Sequence, residues 1–243
     1  MKLLKFDLLR NKRYIRNIGL FYLLLILLGL VLEFWPNLGF SIDSIFSYRM
    51  VFDLILAIFV ISLVSFILAI IRKDLFTSTS NLIFDLPISR GNYFTSKILL
   101  VTLAYIYNLI FVLILLKLLN YQITSDLIYY FILGLIWILI FFAIIYYGQS
   151  INRFKEKANG NLIIAICIAI ILLMGFFICK YFSFVLVGNG IQLAKAINYA
   201  FMYPFVIGNV GIYKNLTPII YYLLVLIGMW ILNTENLKNN LDL

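Results

Sequence analysis

Few side chains in this sequence can do chemistry, and most of them interrupt or flank long apolar runs. Polar groups inside such runs either line a cavity or form hydrogen bonds between helices. The acids at the ends of runs are either solvated by interfacial water or attract a cationic group. Six residues are the candidates for such roles: Glu33, Asp53, Tyr105, Tyr107, Asn108 and Gln149.

Several kinds of catalytic site are excluded by what the sequence lacks. It contains no histidine, which excludes Ser-His proteases, His-Glu-x-x-His metalloproteases and His-ligated haem. No Gly-x-x-x-x-Gly-Lys-Ser/Thr loop is present to hold a nucleotide phosphate. Cys167 and Cys179 lie 12 residues apart in one apolar run, too far apart along a helix for a disulfide. We therefore expect no catalytic residue, no cofactor and no metal in this chain.

The composition is that of a polytopic membrane protein. Hydrophobic residues make up 65% of the chain and charged residues 12%, with a mean hydropathy of +1.08. The uncharged runs predict an all-α integral membrane protein, a single transmembrane domain over residues 1–243. Six spans are predicted, at residues 17–35, 54–71, 98–117, 127–150, 159–179 and 216–233.

Lysine and arginine alternate across these spans. One side carries 13 of them and the other carries 5, with Lys238 in the C-terminal tail. The positive-inside rule places both termini in the cytoplasm. The net charge of +9 reflects this distribution and attraction to anionic lipid. Because the basic residues are spread over three loops, they do not indicate nucleic-acid binding.

Two segments outside the spans remain apolar or amphipathic. Residues 1–16 predict a basic elbow helix on the membrane surface, with Leu4 and Leu8 opposite the lysines. Residues 181–214 predict an outer re-entrant helical segment before the sixth span, because they are too apolar for an exposed loop. The alternative for this segment is a seventh span over residues 196–213. Helix contacts are expected at small residues such as Ala165 and Ala169.

The loop after the second span predicts an amphipathic helix over residues 74–86. Its apolar and polar residues each recur at helical spacing, and Pro87 ends it. Phe84 falls near the polar face, where it would insert into a partner protein. The alternative is a helix that lies on lipid headgroups without a partner.

This loop carries a resemblance to a known family. The stretch Leu82-Ile83-Phe84-Asp85-Leu86-Pro87-Ile88-Ser89-Arg90, with Tyr93 and Lys97 following, resembles the cytoplasmic loop of type-2 (ABC-2) ATP-binding-cassette exporter permeases. The basic elbow, the six spans and the segment before the sixth span agree in outline. Within the family, the chain is most similar to small permease subunits of Gram-positive exporters of antimicrobial or cytolytic peptides, of the modulin or lantibiotic type.

The resemblance implies a non-catalytic permease in a bacterial plasma membrane. Such a subunit pairs with a second permease copy, identical or related, and with two cytoplasmic ATPase subunits that hold ATP and Mg. The helix over residues 74–86 would be the coupling helix, and the candidate substrate-pathway residues would face a hydrophobic or amphipathic peptide. The coupling residues implied are Asp74, Leu75, Phe76, Leu82, Ile83, Phe84, Asp85, Leu86 and Pro87.

Two other functions remain open from the sequence. A membrane scaffold or immunity protein that binds a toxin peptide has the same general composition. A stand-alone secondary transporter would need buried ionisable residues or helices interrupted at repeated positions, and the sequence pattern shows neither.

Overall fold

The computed structural model describes residues 2–34, 48–77, 89–118, 125–154, 159–181, 183–187, 190–194 and 214–241. Within these ranges the chain forms six helices and one small sheet. The helices are α1 (Lys2–Phe34), α2 (Tyr48–Leu75), α3 (Arg90–Leu118), α4 (Ser125–Phe154), α5 (Gly160–Tyr181) and α6 (Thr217–Leu241). The strands are β1 (Ser183–Val187), β2 (Gly190–Ala194) and β3 (Lys214–Asn215).

Five stretches of helix are long and apolar enough to cross a membrane, which confirms a multi-pass helical protein. They are Asp53–Leu75, Arg90–Leu118, Leu127–Phe154, Gly160–Ile178 and Thr217–Asn239. Several extend past the predicted spans because a helix continues beyond the first charged residue. The first predicted span lies in α1, which is not among the five. The side chains of α1 beyond residue 27 lie outside the described residues.

The predicted elbow is not a separate helix. The helical segment α1 runs for 33 residues without a break near residue 16. Its inward face includes Asp7 and Asn11, both fully buried, whereas Phe6 and Leu9 are exposed. The prediction was a basic helix on the membrane surface; in the structure the buried face of this segment is partly polar because Asp7 meets Ser96 and Lys97 on α3.

The chain forms two compact units. The first unit comprises Met1–Arg72 and Ser96–Thr124, so it holds α1, most of α2 and most of α3. The second unit comprises Lys73–Thr95 and Ser125–Leu243, and in it α4 packs most extensively on α6. Two helices therefore divide between the units: α2 ends in the second unit and α3 begins there.

The core of each unit is mainly aliphatic and also contains packed aromatic pairs. In the first unit Tyr22 stacks on Phe111, with ring centroids 5.2 Å apart, and Phe59 meets Tyr105 edge-on at 5.1 Å. In the second unit Trp137 packs against Tyr222, with ring centroids 4.9 Å apart. Aromatic pairs at these distances add to the stabilisation from buried area alone.

The segment before α6 contains strands, which corrects the prediction of helix there. Strands β1 and β2 pair antiparallel, with Val187 opposite Gly190, and β3 pairs with the other edge of β1. Two residues, Gly188 and Asn189, separate the first two strands, a sequence typical of a β-hairpin connection. The central strand β1 is thus paired with β2 along its whole length and with β3 over two residues. The alternative seventh span, over residues 196–213, lies outside the described residues.

Candidate functional site

A buried ion pair joins α1 to α3 in the first unit. The Lys97 Nζ donates to both carboxylate oxygens of Asp7, at 2.7 and 2.8 Å, and both side chains have no exposed surface. The Ser96 hydroxyl donates to the same carboxylate at 3.2 Å. A buried charge is tolerated only when it is paired and hydrogen-bonded, and this carboxylate meets both conditions.

A polar network lies further along the same three helices. Ser62 Oγ is 2.8 Å from Asn108 Oδ1 and 3.5 Å from the Tyr22 hydroxyl. The Asn108 amide also donates to the Ala104 carbonyl at 2.7 Å. A hydroxyl has one proton and two lone pairs, so Tyr22 can donate to Ser62 while Ser62 donates to Asn108. Side-chain hydrogen bonds thus connect α1, α2 and α3 at this level.

An apolar cavity of about 250 Å³ lies beside this network. All three helices of the first unit line it. Tyr107 and Asn108 are its polar residues, and the others are aliphatic or aromatic. Its lining residues are Leu8, Ile15, Ile18, Phe66, Leu100, Leu103, Ala104, Tyr107 and Asn108.

The residues that flank the predicted coupling segment are held by α4 and α6. Arg153 Nη1, near the end of α4, donates to the Leu75 carbonyl at the end of α2. At the start of α3, Ser89 accepts the Tyr93 backbone N–H at 3.0 Å. Within the second unit, Trp230 Nε1 on α6 donates to the Thr95 hydroxyl at 3.0 Å.

Aromatic packing reinforces this attachment. Phe94 of α3 stacks on Phe142 of α4, with ring centroids 5.9 Å apart, and meets Tyr146 edge-on at 5.5 Å. The Tyr146 hydroxyl donates to the Tyr93 hydroxyl at 3.4 Å. Both sides of the coupling segment are therefore fixed to the same compact unit.

The start of the predicted coupling helix is corrected. Asp74 and Leu75 belong to α2, and both side chains are buried, so they pack within the chain rather than offering a contact surface. Phe76 and Thr77 are no longer helical, and Phe76 is 55% exposed. Leu82, Ile83, Phe84, Asp85, Leu86 and Pro87 lie outside the described residues.

The candidate substrate-pathway residues are divided between the two compact units. Tyr107 and Asn108 line the apolar cavity, whereas Tyr105 is buried against Phe59. Asp53 is exposed near the start of α2. The remaining two are Gln149, which belongs to the second unit and hydrogen-bonds Asn161 at 3.1 Å, and Glu33, whose side chain lies outside the described residues.

The sequence analysis missed Asp7. It is the only acid in the first 32 residues, among six lysines and arginines of the N-terminal segment, and it lies four residues before Asn11. That isolation was the available signal. The partner, Lys97, was recognised only as part of the family resemblance, and nothing local in the sequence connects two residues 90 positions apart.

Comparison of the chain with protein-family models, with curated proteins and with solved structures gives no significant match. The function is therefore inferred from the residues and geometry of the chain itself.

Proposed function

We propose that this chain is the permease subunit of an ATP-driven exporter of amphipathic or hydrophobic peptides. Its five membrane-length helices, its Lys/Arg asymmetry and the resemblance of residues 82–90 support this function. Because the sequence contains no phosphate-binding loop, ATP hydrolysis is assigned to separate ATPase subunits in the cytoplasm. A second permease copy would complete the membrane pathway.

The observation that carries the proposal is the attachment of both flanks of the coupling segment to α4 and α6. Arg153 holds the end of α2 through the Leu75 carbonyl. The start of α3 is held by the hydrogen bond from Trp230 to Thr95 and by the packing of Phe94 on Phe142. A displacement imposed on the segment between α2 and α3 would move the end of α2 and the start of α3 together with α4 and α6, because packed aromatic clusters resist deformation. Both α2 and α3 continue into the first unit.

Substitution at Phe76, which is exposed, and at Phe84 of the coupling segment tests docking directly. In a co-purification with the candidate ATPases encoded beside this chain, Phe76→Asp and Phe84→Asp should each reduce recovery of the ATPase by at least about tenfold, the loss expected of an aromatic hot spot. ATPase stimulation should fall in parallel. Phe6→Asp is the matched control, because Phe6 is 49% exposed on α1 and gains the same charge.

The control variant should bind the ATPase as well as the parent chain does. Unchanged recovery and unchanged ATPase activity in both the Phe76 and Phe84 variants would contradict the assignment of this segment as the docking handle.

A stand-alone secondary transporter is the second candidate, favoured by one observation. The buried pair of Asp7 and Lys97 is the kind of ionisable site that such transporters place along an ion path. The full compensation of the carboxylate by Lys97 and Ser96 instead favours a structural role. Peptide transport by the chain alone, without ATP, distinguishes this candidate from the exporter.

A further inference from the structure

Two adjoining grooves on the first unit have almost wholly apolar surfaces, and one of them is lined by the aliphatic stems of cationic side chains. The apolar cavity described above shares Leu8 and Ile15 with a second groove of about 350 Å³ along α1. Three cations, Lys5, Lys12 and Arg16, line this second groove. They are spaced seven and four residues apart and therefore lie on one face of the helix, beside the residues that enter the apolar cavity.

The position of α1 makes these cations unusual. Its contacts within the first unit align it with the apolar runs of its neighbours: Asp7 meets Lys97, the Tyr14 ring lies 5.3 Å from Phe66, and Gly19 lies against Tyr107. Lys12 and Arg16 are consequently exposed beside segments predicted to span the membrane. A cation at the depth of a membrane-spanning segment raises the free energy of the protein unless its charged group reaches water or an anionic partner.

No carboxylate of the described residues forms an ion pair with Lys5, Lys12 or Arg16; the described ion pairs of α1 are those of Asp7 with Arg10 and Lys97. The described part of the chain thus supplies no carboxylate to these three exposed cations, which leaves them accessible to an anion from outside it. The apolar cavity that adjoins them has almost no polar surface and accepts hydrocarbon.

We propose that this composite groove binds one anionic phospholipid. The phosphate lies among Lys5, Lys12 and Arg16, and one acyl chain enters the cavity past Leu8 and Ile15. A net negative headgroup is expected because the three cations lie on one face of α1, whereas a zwitterionic headgroup brings its own cation. The site does not depend on the proposed exporter function.

Native mass spectrometry of the delipidated full chain tests the headgroup half of the site. The chain is titrated with phosphatidylglycerol and with phosphatidylcholine of identical acyl chains. The first phosphatidylglycerol should bind more tightly than phosphatidylcholine, and Lys5→Gln/Lys12→Gln/Arg16→Gln should weaken that binding by at least about tenfold. The matched control removes three exposed cations outside the groove: Arg13→Gln/Arg72→Gln/Lys238→Gln.

The acyl half is tested by Leu103→Trp, which narrows the cavity at a side chain that is 41% exposed and therefore tolerates a larger group. Phosphatidylglycerol binding should weaken while the helix content and thermal unfolding of the chain stay unchanged. Soluble glycerol 3-phosphate should not displace the lipid, because it has no acyl chain to place in the cavity.

Four results would overturn the proposal. Equal affinity for the two lipids, or an equal loss of phosphatidylglycerol affinity in the groove and control variants, would show that the cations select no headgroup. Displacement by glycerol 3-phosphate would identify a free-phosphate site. A change of oligomeric state in the groove variant, without a change in lipid binding, would identify the face as an interface between copies.

Discussion

A carboxylate and an ammonium that are both removed from solvent stabilise a fold only as a pair. Asp7 and Lys97 have no exposed surface, and the two bonds between them are short and charge-assisted. Breaking a buried pair by removing one partner weakens the compensation of the remaining charge and costs about 3–5 kcal/mol. Replacing both with apolar groups avoids that penalty.

Asp7→Asn should therefore lower the free energy of unfolding by about 3 kcal/mol or more, whereas Asp7→Asn/Lys97→Met should recover much of the loss. Unfolding in detergent, followed by circular dichroism, measures both. Asp53→Asn is the control, because Asp53 is exposed and should show little change. An Asp7→Asn variant as stable as the parent chain would show that the pair contributes nothing.

The sequence could not reveal this pair because burial of Asp7 depends on a partner 90 residues away. Local periodicity placed Leu4 and Leu8 opposite the lysines and gave no role to Asp7 and Asn11, which the structure buries. For Asn108 the sequence offered a cavity or a neighbouring helix; in the structure it lines the cavity and accepts a hydrogen bond from Ser62.

At the scale of elements, α4 and α5 meet through two glycines. A Cβ on Gly160 would collide with the Gly148 carbonyl oxygen and would come within 2.7 Å of the Asn152 side-chain oxygen. The Gly160 N–H donates to that same oxygen at 2.6 Å. The close approach was not predicted. The expected contact residues, Ala165 and Ala169, are exposed, because α5 turns a different face to the chain.

Gly160→Ala should lower the free energy of unfolding by about 1–3 kcal/mol, since the backbone must shift to admit a methyl group. Gly228→Ala is the matched control: a Cβ there meets nothing within 4 Å, and alanine favours helix by up to about 1 kcal/mol. Chemical unfolding of the two variants measures the difference. Equal stabilities would argue against close packing between α4 and α5.

Spans and strands differ in how far the sequence predicts them. Hydropathy identifies a span because each residue contributes to the same average, so the five membrane-length helices of the described residues were found, although Arg90–Leu118 begins well before its predicted span and Thr217–Asn239 ends well after it. The β-hairpin was missed because its residues are as apolar as a membrane-dipping helix. The Gly188-Asn189 pair between equal five-residue strands was the signal that favoured a hairpin.

At the scale of the whole molecule, two compact units share α2 and α3. The sequence predicted one transmembrane domain, and it contains no local boundary because the units meet within continuous helices. Under the proposed function, this division explains how the segment between α2 and α3 would transmit a movement. The residues that flank the segment belong to the second unit, whereas most of α2 and α3 belongs to the first unit. An ATPase that moves this segment would act on both.

Reconstituted transport is the most direct test of the claim that a separate ATPase drives this chain. Liposomes carrying the chain and its ATPase partner should move an amphipathic helical peptide only when ATP is supplied, and the peptide should stimulate ATP hydrolysis. Liposomes with the chain alone should move none, with or without an ion gradient. Peptide movement by the chain alone, in the absence of any nucleotide-hydrolysing partner, would contradict the account.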